Sequence, residues 1–437
     1  MATTSISNPP EILAEKVFRY LKGNDRFLGR QMARRLLVFF KTLYYASMRT
    51  EESQQIKVMV SFFNPNSEDL VGDEEDSEDH WSFTSFKEPL QFNEKTLVKL
   101  SKAADPWSSA IAVYYDDDEN LMNYGLIDQV LHNQRFMNHE SDMEPDYAGL
   151  FQASIQGIGL ITVTDGNTII GELRQDSIAN NFLDVWKYGQ ISGIIKKSSR
   201  TFINQIEMFL STTFPALKVE DHEEFITNLV RDTLSRILIQ IKNYGHGGAL
   251  VITSEIEGLK IGYPMKYRRL RFAMLRLIKT TISLKQIQKK ISRSGDVVPK
   301  NFLNTSRELE KKKIEIDNEL KGAIRFIASQ SCVDGLIVMG NNFITSGFGA
   351  VIDKINPPER IYLSKTARFT IPEEIDSNNF GTRHRSMMTY CSMNPGSIGI
   401  VISQDGELRV ISQFEEKLVM WENVKTQKYL RSSASVH

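Results

Sequence analysis

The stretch Phe380-Gly381-Thr382-Arg383-His384-Arg385-Ser386-Met387 sets a glycine, a hydroxyl, two guanidiniums and an imidazole in a row from Gly381 to Arg385. Asp376-Ser377-Asn378-Asn379 precedes it, and Ser386 to Met393 has helical character. The pattern predicts a loop feeding a helix N-terminus, with Thr382 as its N-cap. Backbone N–H groups and the positive end of the helix dipole suit a phosphate there. Arg383 and Arg385 add planar forks for phosphate oxygens. His384 can donate a hydrogen bond or ligate a metal. The bland alternative is a solvated basic helix start; the flanking Gly-Thr and the intervening His weigh against it.

A second segment, Cys332-Val333-Asp334-Gly335-Leu336-Ile337-Val338-Met339-Gly340-Asn341-Asn342, puts Asp-Gly at the head of an apolar strand and Gly-Asn-Asn in the turn after it. The Asp-Gly strand, the Gly-Asn turn and the later Gly-Thr-Arg-His-Arg, in this order, resemble the diadenylate cyclase domain, the family that makes cyclic di-AMP from two ATP. The resemblance covers about residues 225–413.

Joining two ATP requires each 3′-hydroxyl in line with the other nucleotide's α-phosphate, an activated hydroxyl, a cation against developing charge, and departure of pyrophosphate. The resemblance implies that Asp334 lies near the 3′-hydroxyl and a metal, with Gly335 allowing close approach. It implies that His384 is a metal ligand, for Mn²⁺ or Mg²⁺. It assigns the phosphates to Gly381, Thr382, Arg383 and Arg385. Gly248, Ala249 and Leu250 match the strand that lies by the adenine, and Gly335, Leu336 and Ser403 complete the implied ATP site. One protomer of this family holds one ATP, so a homodimer or higher homo-oligomer, at least transient, is implied. Four departures stand out, the most important an insertion at 264–320 inside the domain. Leu336 replaces a small residue. Ser403-Gln404-Asp405-Gly406 is shorter than the family's Ser-Glu-Glu-Thr-Gly and has an amide for a carboxylate. Ser386 and Met387 follow the pentapeptide where two small residues are usual.

These residues need a scaffold, and 437 residues suffice for two or three domains with real cores. Hydrophobic content of 41% and charged content of 24% are ordinary for a globular protein, and a net charge of −1 gives no global pull toward nucleic acid or membrane. With only Cys332 and Cys391 there is no disulfide framework. Met1 to Pro10 lacks a secretory apolar region, and no run is long enough to span a bilayer. A cytoplasmic location without a transmembrane segment is expected.

The expected fold is α/β (α+β): a mixed sheet flanked by helices in a C-terminal domain, 201–437, behind an N-terminal α/β regulatory or sensor domain, 1–200. Helical spacing runs through residues 11–47, with Arg26, Arg30, Arg34 and Arg35 on a solvated face. Ile56 to Phe63 reads as a strand, and residues 65–80, with Asp73-Glu74-Glu75-Asp76, as an acidic surface loop. Tyr147 to Ser154 reads as helix, and Asp165-Gly166-Asn167 as a hairpin turn between apolar runs. Ser198 to Thr213 and Asp221 to Tyr244 read as helices. A basic helical insertion is expected over 264–320, with Leu270, Leu275, Ile278, Ile282 and Ile287 at helical spacing; it reads as a packing helix or a surface for an acidic partner or membrane. Glu415 to Arg431 reads as a closing amphipathic helix. Trp107 to Val113 parallels His246 to Ile252, and Ala153 to Ile161 parallels Ala328 to Ile337, which suggests that the first half is a degenerate copy of the second. Three functions compete: a cyclase regulated by its first half, a nucleotide-binding sensor without turnover, and, more weakly, a nucleic-acid scaffold using the basic helix.

Overall fold

The computed structural model describes residues 8–24, 31–65, 82–104, 108–128, 150–166, 168–175, 177–179, 182–294, 298–353, 356–370, 372–404, 406–426 and 431–432. Arg26, Arg30, the acidic run from 66, Trp107, Tyr147, Asn167, Asp405 and the tail after Ser432 lie outside them. The chain divides into two units, one of residues 1–182 with 427–437 and one of residues 183–426. Among the described residues no helix is long and apolar enough to cross a membrane.

The first unit runs α1 (Pro9–Gly23), α2 (Met32–Ser47), β1 (Thr50–Glu51), β2 (Gln54–Gln55), β3 (Val58–Phe62), β4 (Ser82–Gln91), α3 (Glu94–Leu100), β5 (Ser109–Tyr115), β6 (Leu121–Asp128), β7 (Phe151–Gly157), β8 (Leu160–Asp165), β9 (Thr168–Arg174) and β10 (Ser177–Ala179). Prolines open α1, where a missing N–H costs nothing, and Asn93 caps α3 by accepting from Thr96 N at 2.9 Å. The main sheet is ordered β10-β9-β8-β7-β3-β5-β6-β4, with the short strand Arg431–Ser432 also parallel on β9. Alternation sends Val58, Val60, Ile111 and Val113 toward α1 and α2, and Met59, Ala110 and Ala112 to the opposite face.

The second unit runs α4 (Gly189–Thr213), α5 (Glu223–Asn243), β11 (Gly248–Thr253), β12 (Leu259–Tyr267), α6 (Arg269–Ser292), α7 (Lys300–Ser329), β13 (Leu336–Gly340), β14 (Thr345–Ile352), β15 (Arg360–Ser364), β16 (Pro372–Asp376), α8 (Thr382–Met393), β17 (Ile398–Ile402), β18 (Leu408–Phe414) and β19 (Lys417–Trp421). Its sheet order is β12-β14-β13-β11-β17-β18-β19-β15-β16. Leu250, Ile252, Ile337, Ile400 and Val410 face the core shared with α4 to α7, whereas Ala249, Val251, Val338 and Val401 face Met387, Met388 and Tyr390 of α8. This is the expected α+β fold, with one mixed sheet between helices. The helix spanning residue 200 packs in this second core through Ile195, Phe202 and Ile206.

The two units share one connectivity. In each, one strand pairs parallel with the second strand after it in the chain and antiparallel with a later one: β3 with β5 and β7, β11 with β13 and β17. The antiparallel neighbours correspond as well, β5-β6-β4 with β13-β14-β12, and β7-β8-β9 with β17-β18-β19. Even the parallel strand on the last of these recurs, Arg431–Ser432 on β9 and β15 on β19. The repeat therefore exists, but in a different register from the one the sequence suggests. β11 corresponds to β3 and not to β5, the described strand in the segment expected to match it, which corresponds to β13.

Other expectations change too. Phe151–Gly157, expected to end a helix, is the central antiparallel strand β7, and Lys417–Trp421, expected to be helical, is β19. The basic region is no appended surface element. α6 and α7 belong to the crossover that joins parallel β11 and β13, where the first unit has, among the described residues, the helix α3 between β3 and β5. Leu270, Met274, Ile278 and Ile282 of α6 and Leu320, Ile324 and Ile327 of α7 are core residues. Arg271, one of the cations, is itself buried, and its Nη1 donates to the Asn342 carbonyl at 2.7 Å. Burial lowers its pKa from the ordinary arginine value.

Candidate functional site

The pentapeptide, the Asp-Gly and the Gly248 strand meet at one end of the second unit's sheet. β11 and β13 are parallel with Leu250 beside Ile337, so Gly248 and Gly335 head adjacent strands. β17 runs the other way and ends there, with Ile402 opposite Gly248 and Leu408. Ser403, Gln404, Glu407 and Arg409 therefore belong to the same end. α8 crosses this face and brings its N-terminus to it.

Glycines set the close approaches. Gly335 has φ +115°, and a Cβ there would lie 2.6 Å from the Gly349 carbonyl carbon. Asp334 is thus carried on a turn that only glycine completes, and its carboxylate is exposed. Gly247, with φ +67°, packs where a Cβ would lie 3.0 Å from Arg383 Nη1 and 3.3 Å from Gln404 N. That contact places the first guanidinium of the pentapeptide directly against the head of β11 and the end of β17.

Gly381, not Thr382, is the N-cap of α8, with extended backbone and no side-chain cap. Thr382 opens the first turn instead, where N–H groups have no intrahelical acceptor. A glycine cap leaves that turn uncovered by any capping side chain. Thr382 and Arg383 are exposed, and His384 and Arg385 half-buried. Arg385 Nε is buried without a hydrogen-bond partner among the described residues. The helix is bolted at its far end: Tyr390 hydroxyl donates to the Glu255 carbonyl at 2.6 Å, and burial raises its pKa.

The remaining implied residues are mostly internal. Ala249 and Leu250 are both 1% exposed on opposite faces of the sheet, so this strand meets the site through Gly247 and Gly248. Leu336 is absorbed in the core on the α8 side, opposite Ala350. Its departure from a small residue is a packing change. Ser403 closes the turn to β18, its hydroxyl donating to the Glu407 carbonyl at 3.2 Å.

His384 meets a partner that the motifs do not announce. Arg409 Nη1 lies 3.1 Å from His384 Nε2, while its Nη2 and Nε pair with Glu407 at 2.6 Å and Glu422 at 2.8 Å. The Phe380 ring flanks both, 5.6 Å from the guanidinium and 5.8 Å from the imidazole. The sequence signal for this cluster was the alternation Glu407-Leu408-Arg409 at a strand start, with Glu422 following the neighbouring strand. Gly247 gave only a Gly-Gly pair before a strand.

Of the two implied metal ligands, Asp334 offers an exposed carboxylate, suited to a hard divalent cation shared with phosphate oxygens. His384 Nε2 is engaged by Arg409. Among the described residues no group of three or more His, Cys, Asp or Glu side chains stands ready to hold a metal. A groove of about 620 Å³ elsewhere in the unit, lined by Arg268, Phe272, Arg276 and Glu319 among others, contains none of the motif residues.

Residues 32–128 match a family model described as "Probable sensor domain DACNV". That span runs from α2 to β6 in the first unit. No curated protein and no solved structure matches the chain.

Proposed function

We propose that the second unit is a diadenylate cyclase that condenses two ATP into cyclic di-AMP with release of pyrophosphate, and that the first unit regulates it. The observation that carries this reading is the packing of Arg383 against Gly247, which the Gln404 backbone N also approaches, at the sheet end that Gly335 also heads. Phosphate-binding and carboxylate groups distant in sequence thereby share one sheet end. The matched sensor model supports a regulatory first unit.

In this reading the uncapped first turn of α8 and the forks of Arg383 and Arg385 hold the triphosphate. The Arg385 Nε, buried and without a hydrogen-bond partner among the described residues, is a donor that an anion would satisfy. Asp334 lies beside the 3′-hydroxyl and, with phosphate oxygens, holds Mn²⁺ or Mg²⁺. The bound cation would supply charge neutralisation at the α-phosphate. Two copies present their sites to each other, so that each hydroxyl meets the partner's phosphate in line. The chain works as a homodimer or higher homo-oligomer, without nucleic acid, in the cytoplasm.

A second reading, a nucleotide-binding sensor without turnover, is favoured by one residue. Gln404, whose backbone N faces Gly247, carries an amide where the family has a carboxylate. Incubation of the purified protein with ATP and Mn²⁺ or Mg²⁺, with products separated by chromatography and mass spectrometry, decides between them. Cyclic di-AMP that disappears in Asp334→Asn is the expected result. Nucleotide binding by calorimetry with no product supports the sensor, and neither binding nor product sinks both readings.

A further inference from the structure

We infer that Arg409 is a positioning residue that holds His384 as the neutral tautomer protonated on Nδ1, with Nε2 closed to a metal ion. The hydrogen-bond inventory gives the reason. A guanidinium has donors only, so the 3.1 Å contact from Arg409 Nη1 requires the lone pair of His384 Nε2. A neutral imidazole then carries its single proton on Nδ1.

The guanidinium is itself fixed. Glu407 immediately precedes β18 and stands two residues before Arg409, and the ion pair between them puts both on one side of the sheet. The pairing of Val410 with Trp421, continued by one residue, sets Glu422 opposite Arg409. The two carboxylates take Nη2 and Nε, leaving Nη1 for the imidazole. The side chains of Arg409 and Glu407 are 19% and 14% exposed, so solvent screens this clamp only in part.

A divalent cation on Nε2 would have to displace Arg409 from both carboxylates, or sit beside a guanidinium of like charge. The metal-ligand role that the resemblance implies for His384 therefore does not fit this chain. Asp334 and substrate oxygens are left to hold the cation. That assignment of the cation alone depends on the proposed cyclase or nucleotide-binding function.

The test is long-range ¹H–¹⁵N NMR of the full chain with ¹⁵N-labelled histidine, without nucleotide, with His384→Gln to assign the signal. The expected wild-type spectrum shows His384 protonated at Nδ1 and bare at Nε2. One equivalent of Zn²⁺, a metal that seeks imidazole, leaves the Nε2 shift in place. A hydrogen bond from a charged donor is worth enough to bias the tautomers about tenfold or more. Arg409→Met loses that bias and turns the ratio toward the Nε2 proton that free histidine prefers. Arg409→Lys, still a donor, restores it. A wild-type His384 protonated at Nε2, or an Nε2 signal that moves with Zn²⁺, overturns the inference. So does an Arg409→Met spectrum identical to wild type. Should Arg409→Met fail to fold, the wild-type spectrum and Arg409→Lys decide. Because nucleotide is absent, a protein that makes no cyclic di-AMP still answers the question, and failure of the cyclase reading stays distinct from failure of the clamp.

Discussion

Gly335→Ala puts the Asp334 turn under a load that can be worked out from the backbone. Gly335 has φ +115°, and the new Cβ would meet the Gly349 carbonyl carbon at 2.6 Å, its Cα at 2.8 Å and Ala350 N at 2.9 Å. These are main-chain atoms of β14, which is paired on both sides, so no rotamer change relieves them. The backbone conformation costs a non-glycine residue about 1–3 kcal/mol. Forcing a methyl into a packed site costs about 1–3 kcal/mol more. Urea unfolding of the full chain, read through Trp186 and Trp421, which are both buried in the second unit, measures the sum. With a slope of about 3 kcal/mol/M, the transition of that unit drops by roughly 0.7–2 M. Gly381→Ala is the control. Its φ is −69° and nothing lies within 4 Å of its Cβ position, so only a weaker cap is expected, under about 1 kcal/mol. A Gly335→Ala protein within 1 kcal/mol of wild type, or a Gly381→Ala protein hurt as badly, refutes the reasoning that the Asp-Gly turn is built on glycine.

Other outcomes follow from the same geometry. Arg383→Ala, at an exposed position, leaves unfolding unchanged and weakens ATP binding about tenfold to a hundredfold by calorimetry, the worth of a charge-assisted bond; equal affinity would remove Arg383 from the site. Gly399→Ala drives a methyl onto Met387 and Cys391 in the α8 core and costs about 1–3 kcal/mol in the same urea assay; a neutral effect would mean that α8 is loosely packed. A thiol reagent at pH 8 titrates exposed Cys332 and spares Cys391 until urea is added, since burial pushes the Cys391 thiol up to about 12. From the unfolded thiol's ordinary pKa of 9.0 up to about 12 the unfolded chain holds fewer protons than the folded one. Stability is therefore present below that window and falls as pH rises through it, by up to about 1.4 kcal/mol per pH unit. Cys391→Ala should flatten the corresponding part of the profile, and an unchanged slope would exclude this thiol as its source.

The parts of the fold that the sequence revealed are those with one dominant signal. α4, α5 and α6 carry long apolar stripes, and β13 to β14 turns at Gly340-Asn341-Asn342. What stayed hidden has identifiable causes. β19 is covered on both sides, Leu418 and Met420 facing α8 and Val419 and Trp421 facing the other core, so its apolar run has no alternation and passes for a helix face. Its hairpin turn consists of Glu415 and Glu416, both at positive φ, where Asn or Gly would have announced it. β4 is a nearly all exposed or half-exposed edge strand with little apolar signature. The repeat register was misjudged because small-apolar runs such as Ser109–Val113 resemble β11 in composition, whereas parallel pairing, which no single sequence displays, identifies β3 as its counterpart. In the site, the two motifs lie at one end of the same sheet, but Gly381 as cap and Arg409 as partner of His384 depend on which strand lies next to which. The exposure of Asp334 and the burial of Leu336 likewise depend on packing that neither motif encodes.

One feature of the second unit bears on its portability. Its first residue pairs with its last strand-like segment: Leu183 N donates to the Asn423 carbonyl at 3.0 Å, and Lys425 N donates to the Leu183 carbonyl at 3.0 Å. Trp186 Nε1 reaches the Lys425 carbonyl at 2.6 Å and closes the same seam. The unit thus enters and leaves through neighbouring points, the geometry of a cassette that can be spliced into a host loop without stretching it. A circular permutant that joins residues 426 and 183 through a short linker needs no new path across the surface, and the same adjacency makes residues 183–426 the natural segment to transplant.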